Sequence, residues 1–167
     1  MRAHRTGRLL KEKIKSLSAL KRIIAAFKKS GKRIVFTNGC FDILHFGHAK
    51  YLEDAKRKGD ILVVAVNCDS SVRRIKGAKR PVVSQDYRLG MLAALESVDY
   101  VFLFGEDTPL KVIKALKPDI LVKGADWHKG SIVGSDFVKG LGGKVATVKL
   151  VKGLSTSNII KKIAQNS

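Results

Sequence analysis

The stretch Arg33-Ile34-Val35-Phe36-Thr37-Asn38-Gly39-Cys40-Phe41-Asp42-Ile43-Leu44-His45-Phe46-Gly47-His48 decides the fold of this chain. Arg33 to Phe36 is an apolar run of the kind a buried parallel strand needs. From Gly47 the pattern Gly47-His48-Ala49-Lys50-Tyr51-Leu52-Glu53-Asp54-Ala55 takes up helical spacing, with Tyr51, Leu52 and Ala55 turned inward. The reading is strand, loop, helix. A helix opening at Gly47 leaves backbone N–H groups and the positive end of its dipole facing outward, where phosphate binds well. His45 stands just before that helix start and His48 in its first turn, so both imidazoles can face one bound phosphate chain. As hydrogen-bond donors they suit charge that builds on phosphate oxygens, where loss of one preorganised donor costs roughly 3 to 4 kcal/mol. A lone histidine near a helix start is usually a cap or a packed ring, and Gly39 and Gly47 alone would be turn residues. Their combination after an apolar strand is far less ambiguous. No third Cys, His or carboxylate stands at convincing ligand spacing, so no metal site is assigned.

Working outward, the same alternation continues. Apolar residues at Leu10, Ile14, Leu17, Leu20, Ile23, Ile24 and Phe27 follow the helical period before the first strand, with Ser16 or Ser18 as a cap and Gly31 as a stop. After the motif helix ends near Gly59, Ile61 to Val66 is a continuous apolar strand, and Asn67 to Ser71 opens a short helix carrying Arg73, Arg74 and Lys76, broken by Gly77 and Pro81. Ser84-Gln85-Asp86 caps a helix with Leu89, Leu92, Ala93 and Leu95 inward. Tyr100 to Phe104 is the third strand, Thr108-Pro109 opens a helix that Pro118 ends, and Ile120 to Val122 is the fourth strand. A loop over 123–134, a helix over 135–141, a strand over 144–150 and a helix starting at Gly153-Leu154-Ser155-Thr156-Ser157 complete the chain. Five strands alternating with helices predict an α/β fold, a Rossmann-like, doubly wound, five-stranded parallel sheet with ligands at the carboxyl ends of its strands.

Composition narrows the class. At 167 residues, 45% of them hydrophobic and 28% charged, the chain reads as one globular domain over 1–167, with a basic helical segment over 1–30 ahead of a core over 31–167. No apolar run is long enough for a bilayer, and the basic start leads into no secretory apolar region, so a cytoplasmic location is expected. Cys40 and Cys68 do not make a disulfide scaffold. The net charge of +19 is uneven: residues 1–33 hold twelve Lys/Arg against one acid, the remaining 134 hold twenty-one against thirteen. That front-loaded charge would suit nucleic acid or an anionic surface, but no aromatic-rich basic ribbon accompanies it, so a solvated face is the reading adopted.

The stretch from Gly39 to His48 resembles the signature of the cytidylyltransferase-like nucleotidyltransferases, relatives of the enzymes with the H-I-G-H motif. Val66-Asn67, Lys76-Gly77, Arg80-Pro81-Val82, Arg88, Leu95 to Asp99, Glu106 to Pro109, Lys117-Pro118-Asp119, Val122 to Trp127, Ile132-Val133-Gly134 and Gly153 to Thr156 run in that family's order. The resemblance covers the chain from about Leu17 onward. It is strongest to the branch that transfers AMP from ATP to D-glycero-β-D-manno-heptose 1-phosphate, giving ADP-heptose and pyrophosphate for the lipopolysaccharide inner core. What it implies is attack of a sugar-phosphate oxygen on the α-phosphorus, catalysed by positioning and charge stabilisation, with Mg²⁺ arriving on the triphosphate. His45, His48 and Lys76 would be catalytic. Thr37, Gly39, Cys40, Phe41, Gly47, Arg88, Lys123, Gly124, Asp126, Ser155 and Thr156 would bind the nucleotide; Asp42, Lys76, Arg80 and Trp127 would bind the sugar phosphate. Arg88 reads as lying on the polar side of its helix, and Ser155-Thr156 as capping or holding phosphates.

Two departures stand out: Ser157 where the family usually has a second threonine, and Ala125 where close relatives carry glycine. The resemblance also implies a homodimer, and, since bifunctional relatives carry a sugar kinase domain, a separate kinase. The competing readings are a glycerol-3-phosphate cytidylyltransferase-like enzyme, which shares the first motif and a similar Asp-Trp segment, and a basic nucleic-acid-binding protein on the same fold.

Overall fold

The computed structural model describes residues 9–125 and 132–166. Two helices come first, α1 (Leu10–Lys13) and α2 (Leu17–Lys29), followed by β1 (Ile34–Gly39) and α3 (Phe46–Lys56). β2 (Ile61–Asn67), α4 (Asp69–Lys76), α5 (Gln85–Ala94) and β3 (Tyr100–Phe104) complete the first half. α6 (Leu110–Leu116), β4 (Ile120–Gly124), α7 (Ser135–Gly140), β5 (Lys144–Val148) and α8 (Thr156–Gln165) make the second. The strands form one parallel sheet in the order β3-β2-β1-β4-β5, the doubly wound arrangement expected from the alternation.

Strand side chains alternate between two cores. Ile34, Phe36, Val63, Ala65, Phe102 and Leu121 face one side, where they meet Leu20 and Ile24 of α2, Val112 and Ile113 of α6 and Val138 of α7. Val35, Leu62, Val64, Val66, Val101 and Val122 face the other, against Tyr51, Leu52 and Ala55 of α3 and Leu89, Leu92 and Ala93 of α5. The two-sided burial explains why these strands read as continuous apolar runs.

The front segment is part of this core. Ser16 caps α2, its hydroxyl accepting from the Ala19 amide at 3.2 Å. Leu20 and Ile24 are 0% and 2% exposed, and each such burial contributes about 1.5 to 3 kcal/mol. Gly31, at φ +74°, ends the helix while the Gly31 and Lys32 amides donate back to Lys28 and Phe27. Ile14 also bridges to Val101 beside the edge strand. A boundary at residue 30 therefore separates compositions, not packing units.

β1 runs three residues past the expected Phe36. Thr37, Asn38 and Gly39, which locally read as loop, pair with Val64, Ala65 and Val66 of β2. On its other side β1 pairs with β4 only at Val35–Ile120 and Phe36–Leu121, and beyond those two pairs the strands part. The parting lies where the chain order reverses, the place at which an open α/β sheet offers its crevice. Tyr51 of α3 fills the gap behind it: its hydroxyl donates to the Val122 carbonyl at 3.2 Å and pairs with the Thr37 hydroxyl at 2.7 Å.

Candidate active site

The two histidines meet above that crevice. His45 is the N-cap of α3, in extended backbone at φ −142°, and its side chain makes no capping bond. Instead its ring stacks on His48, centroids 3.9 Å apart and planes 22° from parallel, while Phe41 presents an edge to His48 at 5.3 Å. Among the described residues neither Nδ1 atom has a hydrogen-bond partner, though both are buried. Buried polar atoms are normally paired, and an orphaned pair in a cleft marks a place prepared for a ligand.

Two glycines permit the stack. A side chain on Gly47 would put its Cβ 2.9 Å from the His45 ring, and one on Gly39 would sit 3.1 Å from the Phe41 ring. Phe41 itself occupies the left-handed region at φ +47°, a conformation costing of order 1 kcal/mol or more that the surrounding contacts impose. Burial lowers the His48 pKa to about 4, helped by His45 and opposed by Asp42 and the Ile43 backbone; burial also lowers that of His45. Both rings are therefore neutral near pH 7, and a neutral imidazole carries one N–H.

A second helix start stands beside the first. Ser155 caps α8, its hydroxyl accepting from the Asn158 amide at 3.1 Å, after a turn through Gly153 at φ +79°. Leu154 Cβ lies 3.5 Å from where a Cβ on Gly47 would be, so the openings of α3 and α8 adjoin. Two dipole ends and two imidazoles then border one cleft. The sequence allowed Ser155 to cap or to hold phosphate; in this structure it caps, and Thr156 is the first helical residue.

Lys76 ends α4 and is exposed, and its charge, ahead of those of Arg88 and Arg80, opposes the rise that burial imposes on the Cys40 thiol pKa. The cation at the end of α4 thus stands near enough for its charge to act on the motif loop. Across the crevice the Lys123 ammonium donates to Asn38 Oδ1 at 2.5 Å, tying the end of β4 to the end of β1, with Gly124 buried next to it.

Four expectations are altered by the geometry. Thr37 is fully buried with its hydroxyl on Tyr51, so it braces the crevice from beneath instead of lining it. The Lys123 side chain is turned to Asn38 rather than outward. Arg88 is not on the polar side of α5: it is 1% exposed, and its guanidinium donates to the carbonyls of Val83, Cys40 and Asn67 and to Asp69. The Asp42 carboxylate, 3% exposed, accepts from Arg80 Nε at 2.6 Å and from the Val82 and Val83 amides, which hold its pKa below the ordinary range although burial pushes the other way. It faces protein donors, not a sugar phosphate. Asp126 and Trp127 lie outside the described residues. Tyr51 and Asn38 were missed as site-building residues, because only the register of β1 against β4 shows their partners.

Comparison with known proteins gives the family. Residues 36–163 match the family model described as cytidylyltransferase-like. The bifunctional protein HldE of Geobacter metallireducens is 56% identical over 151 residues, 90% of this chain, and that of Campylobacter fetus is 57% identical over the same length. The chain spans 31% of the length of either. Among solved structures, the lipopolysaccharide core biosynthesis protein from Thermoplasma volcanium superposes with a TM-score of 0.61 at 35% identity, covering 73% of this chain and 98% of that one. Pantoate-beta-alanine ligase from Francisella tularensis, at 15% identity and a TM-score of 0.58 over 92% of this chain and 79% of that one, shares the fold. By its motif, its crevice and these relatives, the chain belongs to the cytidylyltransferase-like family of nucleotidyltransferases.

Proposed function

We propose that this chain transfers AMP from ATP to D-glycero-β-D-manno-heptose 1-phosphate, releasing pyrophosphate and forming ADP-heptose in the cytoplasm for lipopolysaccharide synthesis. The observation that carries the reading is the stacked, neutral His45–His48 pair with unpartnered Nδ1 atoms beside two helix N-termini. The choice of base and sugar is supported by the segments over 106–109, 117–119 and 132–134 that resemble the heptose branch, and by the likeness to HldE proteins and to a lipopolysaccharide core biosynthesis protein.

ATP enters as its Mg²⁺ complex, the magnesium belonging to the substrate. The openings of α3 and α8 receive the triphosphate through backbone N–H groups, with Gly39 and Gly47 allowing close approach and Cys40, Phe41, Gly124, Ser155 and Thr156 around it. A phosphate oxygen of the sugar attacks the α-phosphorus in line, and the bond to the pyrophosphate oxygen breaks. His45 and His48 donate N–H bonds to oxygens whose charge rises as that happens, and Lys76 and the outer nitrogens of Arg80 hold sugar phosphate or leaving group. Asp126 and Trp127 are assigned to the nucleotide and the sugar phosphate on the resemblance alone. The protein acts as a homodimer, with its sugar 1-phosphate supplied by a kinase activity.

The test is pyrophosphate release with ATP or CTP, each paired with heptose 1-phosphate or glycerol 3-phosphate. Turnover with ATP and the heptose is expected. Turnover only with CTP and glycerol 3-phosphate would replace this reading with the cytidylyltransferase one, and salt-sensitive RNA binding without any turnover would replace both.

A further inference from the structure

We propose that Asp42 and Arg88 are positioning residues of the transfer: they grip Val83 from both sides and so set the distance between the cationic turn after α4 and the histidine pair. This inference rests on the nucleotidyl-transfer reading of the His45–His48 site.

Val83 lies in an irregular segment, 77–84, between α4 and α5. Its amide donates to Asp42 Oδ1 at 2.9 Å, and its carbonyl accepts from Arg88 Nε at 3.0 Å. The neighbouring Val82 amide donates to the same carboxylate, and Arg80 Nε donates to Oδ2 at 2.6 Å. Arg88 continues inward. Nη1 donates to the Cys40 carbonyl, and Nη2 to the Asn67 carbonyl at 2.8 Å and to Asp69 Oδ1 at 2.7 Å. One guanidinium thus joins the motif loop, the end of β2, the start of α4 and the segment before α5. The side chains of Asp42 and Arg88 are 1% and 0% exposed.

A buried guanidinium with four donor contacts on four chain segments is not placed to serve as a phosphate ligand. It is placed to fix where the segments lie. Lys76 and Arg80, at either end of the turn, are otherwise carried by a glycine at φ +96° and a run of exposed residues. Without the grip on Val82 and Val83 the turn would keep only the Arg80–Asp42 ion pair to the motif loop, and a misplacement of about 1 Å at a reacting group can cost a hundredfold in rate. Only a fork-shaped donor can serve three carbonyls and a carboxylate at once; a lysine keeps the charge but not the fork.

The experiment compares Asp42→Asn, Arg88→Lys and the double variant with His48→Ala in the assay above. For each single positioning variant, kcat is expected to fall 10- to 100-fold while KM for either substrate stays within about threefold. The double variant should be no slower than the worse single one, because both hold the same residue. A KM raised tenfold or more with kcat retained would make them substrate ligands and overturn the inference, as would a multiplicative double variant or an unchanged kcat in folded protein. If the variants do not fold, amide exchange of the unmodified protein decides. Slow exchange at Val82 and Val83 supports the grip, and exchange at the rate of free chain overturns it. The unmodified protein and His48→Ala separate the two claims: no turnover of the unmodified protein with any substrate pair defeats the nucleotidyl-transfer reading itself, while loss of turnover in His48→Ala beside unaffected Asp42 and Arg88 variants defeats only this one.

Discussion

At the scale of the residue, the histidine pair makes the strongest demands. His48→Ala should lower kcat by about 10²- to 10³-fold, the usual loss for one preorganised donor to developing charge, with little change in fold. Near-normal kcat with an intact circular dichroism spectrum would remove His48 from the mechanism. The same burial gives a second signature. In the unfolded chain His48 takes up its proton near pH 6.5, whereas in the folded protein it resists until about 4. The unfolded state therefore binds more protons in that window, so stability falls as pH drops, by about 2 kcal/mol between pH 7 and pH 5 from this one group. Urea titrations at the two pH values should show that loss, and His48→Gln should remove most of it; an identical loss in the variant would place the titrating group elsewhere. Gly47→Ala tests the stack without replacing either ring. The new methyl, 2.9 Å from the His45 imidazole, must push it aside, and at least a tenfold fall in kcat with modest loss of stability is expected.

Among elements, the strands and most helices were legible because their signals are local. A two-sided strand must be apolar over its length, and Ser16, Gly31 and Ser155 act at their own helix ends. What failed were boundaries made by partners. Thr37 and Asn38 are polar, so they read as loop, yet β2 pairs with them; the helix over 17–29 looked like a basic preface, yet its apolar stripe closes one face of the sheet. The second point separates two substitutions on adjacent residues. Leu20→Ala should destabilise the protein by about 2 to 5 kcal/mol, because a fully buried side chain leaves a cavity. Lys21→Ala, on the exposed side, should shift the urea midpoint hardly at all. Equal, small shifts would mean that α2 is an appendage after all.

For the molecule as a whole, the fold class followed from one motif, and with it the place of the candidate site, because a parallel sheet with helical crossovers gathers its strand ends by rule. The inner structure of the site did not follow. Arg88 and Lys123 carry the residue types that bind phosphate, Asp42 one that accepts from sugar hydroxyls, and only the fold shows that each is turned to a protein partner. With Arg88 inward, the outer face of α5 is left to Tyr87 and Met91, one turn apart and 73% and 51% exposed, with Val82 at 59% just before. Apolar groups at that spacing on an exposed helix face suit a twofold contact, in which the same patch meets itself. If the proposed homodimer uses this face, Tyr87→Glu with Met91→Glu places four like charges in the contact and should yield monomers by sedimentation velocity at protein concentrations where the unmodified chain sediments as a dimer. Circular dichroism should stay unchanged, since neither side chain enters the core. A variant that remains dimeric would move the contact to another face, and an unmodified chain that sediments as a monomer would remove the homodimer from the proposal.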